Sequence, residues 1–134
     1  MARAYLWFDA RYLHCVDGLP RPLTAEESEL IRVLLEHEDF PGRDGLLTQV
    51  PAARVIGRCG CGCATVELAV ERGPAPDALQ EPIPTEAMVL GEDGSEIGGV
   101  RLFAKGGCLN QLEIYSVDED PIRSVPSPDR LSIR

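Results

Sequence analysis

The sequence predicts an α+β fold, in which an N-terminal helix packs on an antiparallel, meander-like β-sheet of about four to five strands. Two observations support this prediction. An amphipathic helix pattern lies in the first third of the 134-residue chain, and short strand patterns separated by turn signals follow it. Strands joined by tight turns pair antiparallel, and a helix that precedes them covers one face of their sheet.

The helix is predicted over Thr24–Glu38. Thr24 and Glu27 have the spacing of a capping box, in which each side chain bonds the other residue's backbone N–H. Apolar residues then recur at helical spacing and are expected to face the sheet. These residues are Leu30, Ile31, Leu34 and Leu35. Phe40-Pro41-Gly42 is expected to end the helix, since Pro and Gly interrupt helical backbone.

The strands are predicted from alternating apolar residues and from the turns between them. We expect strands near 53–59, 63–71, 98–105 and 109–117, with a shorter candidate at 87–90. Turn signals lie at Glu92–Ser95 and Lys105–Gly107. Ahead of the first of these strands, residues 45–50 are expected to form a short helical turn that Pro51 closes.

The chain length indicates a single domain over 1–134. Residues 1–22 form an N-terminal segment with an aromatic cluster around the sole tryptophan, Trp7. Residues 23–120 are expected to hold the helix and the sheet. Residues 121–134 are rich in proline and are predicted to be an extended tail.

Composition and charge exclude several classes of function. Hydrophobic residues make up 44% and charged residues 26% of the chain, as in ordinary globular proteins. A formal net charge of −9 argues against binding to nucleic acid or to an anionic membrane, and allows a basic protein partner or a cation. Asp9 and Arg11 interrupt the early apolar stretch, so we expect no signal peptide and a cytoplasmic protein with reduced thiols.

The most unusual stretch is Arg58-Cys59-Gly60-Cys61-Gly62-Cys63-Ala64. The alternation of the following strand, carried back through this stretch, places the three thiols together on the outer face, and we expect Gly60 and Gly62 to point toward the core. Same-face neighbours are then roughly 6.5–7 Å apart. We therefore expect no disulfide among these cysteines. The alternative is a loop, bent at the two glycines, that gathers the thiols.

Three chemistries are open to these cysteines. Thiolates bind zinc or copper(I), and a closed zinc site needs four ligands. Cys59, Cys61 and Cys63 supply three, and Cys108 is the first candidate for the fourth. The other candidates for the fourth ligand are Cys15, His14 and His37. The remaining hypotheses are small side chains that fill a gap in the packing, and redox or regulatory thiols.

A likeness to known proteins rests on several of these segments taken together. They are the capped helix, Asp39-Phe40-Pro41-Gly42, the cysteine stretch, Gly107-Cys108-Leu109-Asn110-Gln111-Leu112-Glu113-Ile114-Tyr115-Ser116 and a proline-rich end. The chain resembles a group of uncharacterised small bacterial proteins, mainly actinobacterial, with a Cys-x-Cys-Gly-Cys segment and a late Leu-Glu-Val/Ile-Tyr strand. The resemblance covers roughly residues 24–128. It implies a fold and a genomic setting, and it implies no activity.

The sequence favours a non-enzymatic function. A cysteine nucleophile needs an adjacent base, and the only histidines, His14 and His37, do not form a known catalytic pair with a cysteine. No phosphate-binding loop or nucleophile elbow occurs. We therefore expect no cofactor and a protein-binding or regulatory module, such as an immunity-like partner protein. The alternative is a metal-binding protein, with zinc first, or a redox sensor.

Overall fold

The computed structural model describes residues 18–70 and 83–133, and in them the chain forms two α-helices and one seven-stranded antiparallel sheet. The α+β class and the antiparallel pairing are confirmed. The expected four to five strands were too few. The elements are β1 (Arg21–Pro22), α1 (Ala25–Glu36), α2 (Arg43–Gln49), β2 (Ala53–Arg58), β3 (Val66–Val70), β4 (Glu86–Leu90), β5 (Glu96–Lys105), β6 (Cys108–Ser116) and β7 (Leu131–Ile133).

The strand order is β1-β2-β3-β6-β5-β4-β7. Two runs of consecutive strands, β1 to β3 and β4 to β6, meet where β3 pairs with β6. The register there sets Val66 opposite Leu112. The sheet is therefore two joined meanders, because β6 and β5 lie between β3 and β4 in the sheet although β4 follows β3 in the sequence.

Helix α1 forms as the capping box predicts. The Glu27 N–H donates to the Thr24 hydroxyl at 3.0 Å, and the Thr24 N–H donates to the Glu27 carboxylate at 2.9 Å. The four apolar residues predicted to face the sheet are fully buried, which confirms that this face of α1 packs into the core. Their partners across the core are sheet residues such as Leu68, Leu112 and Ile114. The expected short helical turn is α2, followed by a 3-10 turn at Val50–Ala52.

The tail is not simply extended. After a 3-10 turn at Pro128–Arg130, β7 pairs antiparallel with β4, so that Ile133 lies opposite Ala87. Earlier in the tail, the Ile122 carbonyl accepts a hydrogen bond from the Ala64 N–H at 2.8 Å. The tail thus completes one edge of the sheet and also contacts the loop that carries the cysteines.

Some predictions lie outside the described residues. They concern most of the aromatic segment 1–22, including His14 and Cys15, and most of the connection between β3 and β4. Of the segment 1–22, residues 18–22 are described, and they include β1 on the edge of β2. Neither helix in the described ranges has the length and apolar content needed to cross a bilayer.

Candidate metal centre

Three of the cysteines lie on the loop Cys59–Thr65, which joins β2 to β3. Arg58 at the end of β2 pairs with Val66 at the start of β3. We call this segment the cysteine loop. The Gly62 N–H approaches the Cys59 carbonyl at 3.4 Å and closes a turn. Gly62 has φ +94°, a left-handed conformation that side chains other than glycine rarely adopt. The strand predicted over 63–71 therefore begins only at Val66.

The prediction that Gly60 and Gly62 point toward the core was wrong. Both residues are exposed, and a Cβ placed on Gly60 would meet nothing within 4 Å. The alternation of inward and outward side chains in β3 does not continue back into the cysteine loop, because the loop is not a strand. The bent-loop alternative is correct, and the same-face spacing of a strand does not apply to these three cysteines.

The bent loop gathers three thiols. The Sγ atoms of Cys59, Cys61 and Cys63 all lie within 4.8 Å of one another. Cys59 donates a hydrogen bond to the sulfur of Cys61 at 3.1 Å, and the Cys63 N–H donates to the same sulfur at 3.4 Å. Cys59 and Cys61 are exposed and Cys63 is partly covered, so a metal ion can reach the cluster from solvent. All three are free thiols, as is Cys108.

The thiols of the cluster differ in acidity. Partial burial would raise the pKa of Cys63, but hydrogen bonds from the Thr65 hydroxyl and N–H, and from Cys61 and Cys59, lower that pKa to about 7. At Cys59, the N–H of Cys61 would lower the pKa. Hydrogen bonding to the thiols of Cys61 and Cys63, together with the charge on Cys63, raises it overall. Cys63 is therefore the first of these two to become a thiolate, the form that binds metal.

Two contacts hold the cysteine loop against the sheet and the tail. The Thr65 hydroxyl accepts from the Ile114 N–H at 2.8 Å. Its single proton can be donated either to the Ile114 carbonyl at 3.1 Å or to the sulfur of Cys63. The Ile122 carbonyl accepts from Ala64, as described above.

The guanidinium of Arg123 lies against Gly62, where a Cβ would come within 2.5 Å of it. The sequence did not predict this contact, because the two segments lie some sixty positions apart and share no local pattern.

The structure does not bring Cys108 to the cluster. Cys108 begins β6, whereas the cysteine loop bonds β6 at Ile114. Six residues of strand separate the two positions by about 20 Å. The thiol of Cys108 packs against the core, and burial raises its pKa. His37 is the C-cap of α1 and is not part of the cluster either.

Within the described ranges, the three loop cysteines form the only group of metal-ligating side chains gathered at this spacing. Tetrahedral zinc with Zn–S bonds of about 2.3 Å needs sulfurs about 3.8 Å apart, a spacing that small side-chain rotations can reach from this arrangement. Thiolates are ligands for zinc and copper(I). The cluster therefore fits a thiophilic metal ion held by three protein ligands, with a coordination position left for another group.

An open groove of about 800 Å³ adjoins the cluster. Its wall includes Cys59 and Cys63, and its charged residues come from β1, α1, β2 and the tail. These charged residues are Arg21, Glu26, Glu27, Arg58 and Arg123. Two hydrogen bonds of 2.9 Å join Arg21 to the buried carboxylate of Glu27 and fix β1 to the start of α1. Burial alone would raise the pKa of Glu27, but the bonds from Arg21 and Thr24 lower it.

Comparison of the chain with family models, with curated proteins and with solved structures finds no match. The resemblance to the actinobacterial group thus stays a prediction. The geometry of the cysteine loop and of the groove beside it is therefore the basis for assigning a function.

Proposed function

We propose that the protein is a non-enzymatic metal-binding module that holds one thiophilic ion through Cys59, Cys61 and Cys63. A single observation carries the proposal: a seven-residue loop brings three Sγ atoms within 4.8 Å of one another at the protein surface. A cluster that served only to fill space would be buried, because free cysteine packs as a small apolar residue. Here two of the three thiols are exposed.

Zinc is the first candidate metal and copper(I) the competitor. Zinc is usually tetrahedral, so three cysteine ligands leave one coordination position open, whereas a closed structural site has four protein ligands. Copper(I) shares the preference for thiolates. The lowered pKa of Cys63 favours either metal at neutral pH, since less work is needed to remove the first thiol proton.

Metal titration of the reduced apoprotein tests the proposal. We expect native mass spectrometry to show one ion per chain with either metal. We also expect the bound ion to protect the three loop cysteines from alkylation while the modification of Cys108 stays unchanged. The proposal would be contradicted if no one-to-one complex formed even when only weakly competing chelators were present. It would also be contradicted if the metal protected Cys108 alone from alkylation.

A second candidate function is reversible oxidation of the pair Cys59 and Cys61, favoured by their 3.1 Å sulfur–sulfur contact. A hydroperoxide would oxidise one thiol to a sulfenic acid, and the other would displace water to form the disulfide. Peroxide treatment of the apoprotein, followed by peptide mapping, separates the two functions. A Cys59–Cys61 disulfide that forms readily and returns to thiols with a mild reductant, in a protein that binds no metal, would favour redox sensing.

A further inference from the structure

Two arginines of the groove have guanidinium groups that are not paired with an acidic side chain in the described residues. Arg21 is paired with Glu27, as described above. In the described part of the chain, by contrast, the guanidinium groups of Arg58 and Arg123 make no hydrogen bond or ion pair, although both line the groove beside Cys59 and Cys63. A protein with a net charge of −9 thus presents two unpaired guanidinium groups next to its thiol cluster.

Part of this positive charge compensates the metal site itself. Before a fourth ligand binds, zinc with three thiolates carries a net charge of −1. One of the two guanidinium groups balances that charge, and the other remains for an anionic group of the ligand. Glu26 opposes them from the first turn of α1 on the same groove. A ligand that adds its own carboxylate can bind a guanidinium through two parallel hydrogen bonds, whereas a neutral ligand cannot.

We propose that a small exogenous thiol carrying a carboxylate completes the zinc coordination, with its sulfur on the metal and its carboxylate on Arg58 and Arg123. This inference rests on the zinc site proposed above and names the ligand of its open position. In the binding step the thiol loses its proton to solvent, the Zn–O bond to water breaks and a Zn–S bond forms, and neither zinc nor sulfur changes oxidation state. A volume of about 800 Å³ has room for such a molecule.

Three probe molecules of similar size test the inference. Mercaptopropionate has a thiol and a carboxylate, mercaptoethanol has a thiol and a neutral hydroxyl, and propionate has only the carboxylate. We expect calorimetry on the zinc-loaded protein at low ionic strength to show that mercaptopropionate binds about tenfold tighter than either of the others. A metal indicator in the same samples reports any zinc that the probe removes.

Matched variants assign the preference to the two arginines. In the double variant R58Q/R123Q, saturated with zinc, the tenfold preference for mercaptopropionate over mercaptoethanol should disappear. R123K keeps a positive charge but loses the two parallel hydrogen bonds of a guanidinium, so it should retain only part of the preference. E26Q should strengthen mercaptopropionate binding, and K105A, which removes a charge at the opposite end of the sheet, should change nothing.

The outcomes separate this inference from the proposed function. If wild-type protein fails to bind zinc, the metal site itself is wrong, and so is the ligand that depends on it. If zinc binds but mercaptopropionate and mercaptoethanol bind equally, only the ligand inference is overturned. The ligand inference is also overturned if R58Q/R123Q has a normal circular dichroism spectrum and still binds mercaptopropionate more tightly than mercaptoethanol.

Discussion

The two ends of the β3–β6 pair place the same residue type in opposite environments. At one end, the cysteine loop exposes thiols that hydrogen-bond one another, and the pKa of Cys63 falls to about 7. At the other end, Cys108 packs against the core with no such donors, and burial raises its pKa. The number of cysteines therefore says little about chemistry. What matters is whether the backbone turns the thiols toward one another and toward solvent.

Each end also has one buried polar side chain from a helix. At the Cys108 end, Gln49 donates to the Gly107 carbonyl at 2.8 Å and accepts from the Leu109 N–H at 2.9 Å. At the loop end, the buried side chain is that of Glu27, whose carboxylate forms an ion pair with Arg21. Gln49 is neutral and Glu27 is charged. Replacing these two side chains should therefore change the free energy of unfolding by different amounts and with a different dependence on pH.

The largest expected effect separates the loop cysteines from Cys108. Replacing Cys61 with serine should weaken zinc binding by more than about 100-fold. Even the loss of a group that only orients a metal ligand costs about 10–100-fold. C108S should leave zinc affinity within about threefold. Competition with a chromophoric chelator measures both, and equal losses in the two variants would mean that Cys108 is a ligand.

The next effect tests Gln49 at the Cys108 end. Q49A should lower the free energy of unfolding by about 2–3 kcal/mol, because it leaves the Gly107 carbonyl and the Leu109 N–H buried without partners. Q111A, on the less buried face of β6, should cost under about 0.5 kcal/mol. Urea denaturation gives both values. A loss in Q49A no larger than in Q111A would show that Gln49 does not stabilise this end.

A smaller and pH-dependent effect is expected at the loop end. E27Q should cost about 1–2 kcal/mol at pH 7, because it removes the charge that Arg21 pairs with. The folded-state pKa of Glu27 is lowered from its ordinary value of 4.5, so the stabilisation is present above that pH and is lost as the pH falls below it. The difference between wild type and E27Q should therefore shrink in acid. A constant difference from pH 7 to pH 3 would contradict the pairing.

The smallest expected effect concerns thiol reactivity. At pH 7 about half of Cys63 is thiolate, whereas burial raises the pKa of Cys108 and keeps more of that thiol protonated. A thiolate of lower pKa is intrinsically less nucleophilic, which offsets part of the advantage. We expect Cys63 to be alkylated at least about fivefold faster, with its rate falling below pH 7 and levelling off above pH 8. Mass spectrometry of labelled peptides resolves the two rates.

Much of the fold could be predicted from local pattern, and the site only in part. The capping box at Thr24 and the apolar spacing of α1 determine a helix by themselves. The sequence left both a straight strand and a bent cysteine loop open, since a glycine such as Gly62 is compatible with both an extended and a left-handed backbone. The contact of Arg123 and the pairing of β7 depend on distant segments, so no local signal identifies them.

X-ray absorption at the zinc edge tests the central claim most directly. The sample is protein with one equivalent of zinc in a buffer free of thiols, compared with C108S prepared in the same way. We predict three sulfurs at about 2.3 Å and one oxygen or nitrogen ligand in both samples. Four sulfurs in wild type that fall to three in C108S, or a coordination shell without sulfur, would contradict a site built from Cys59, Cys61 and Cys63 alone.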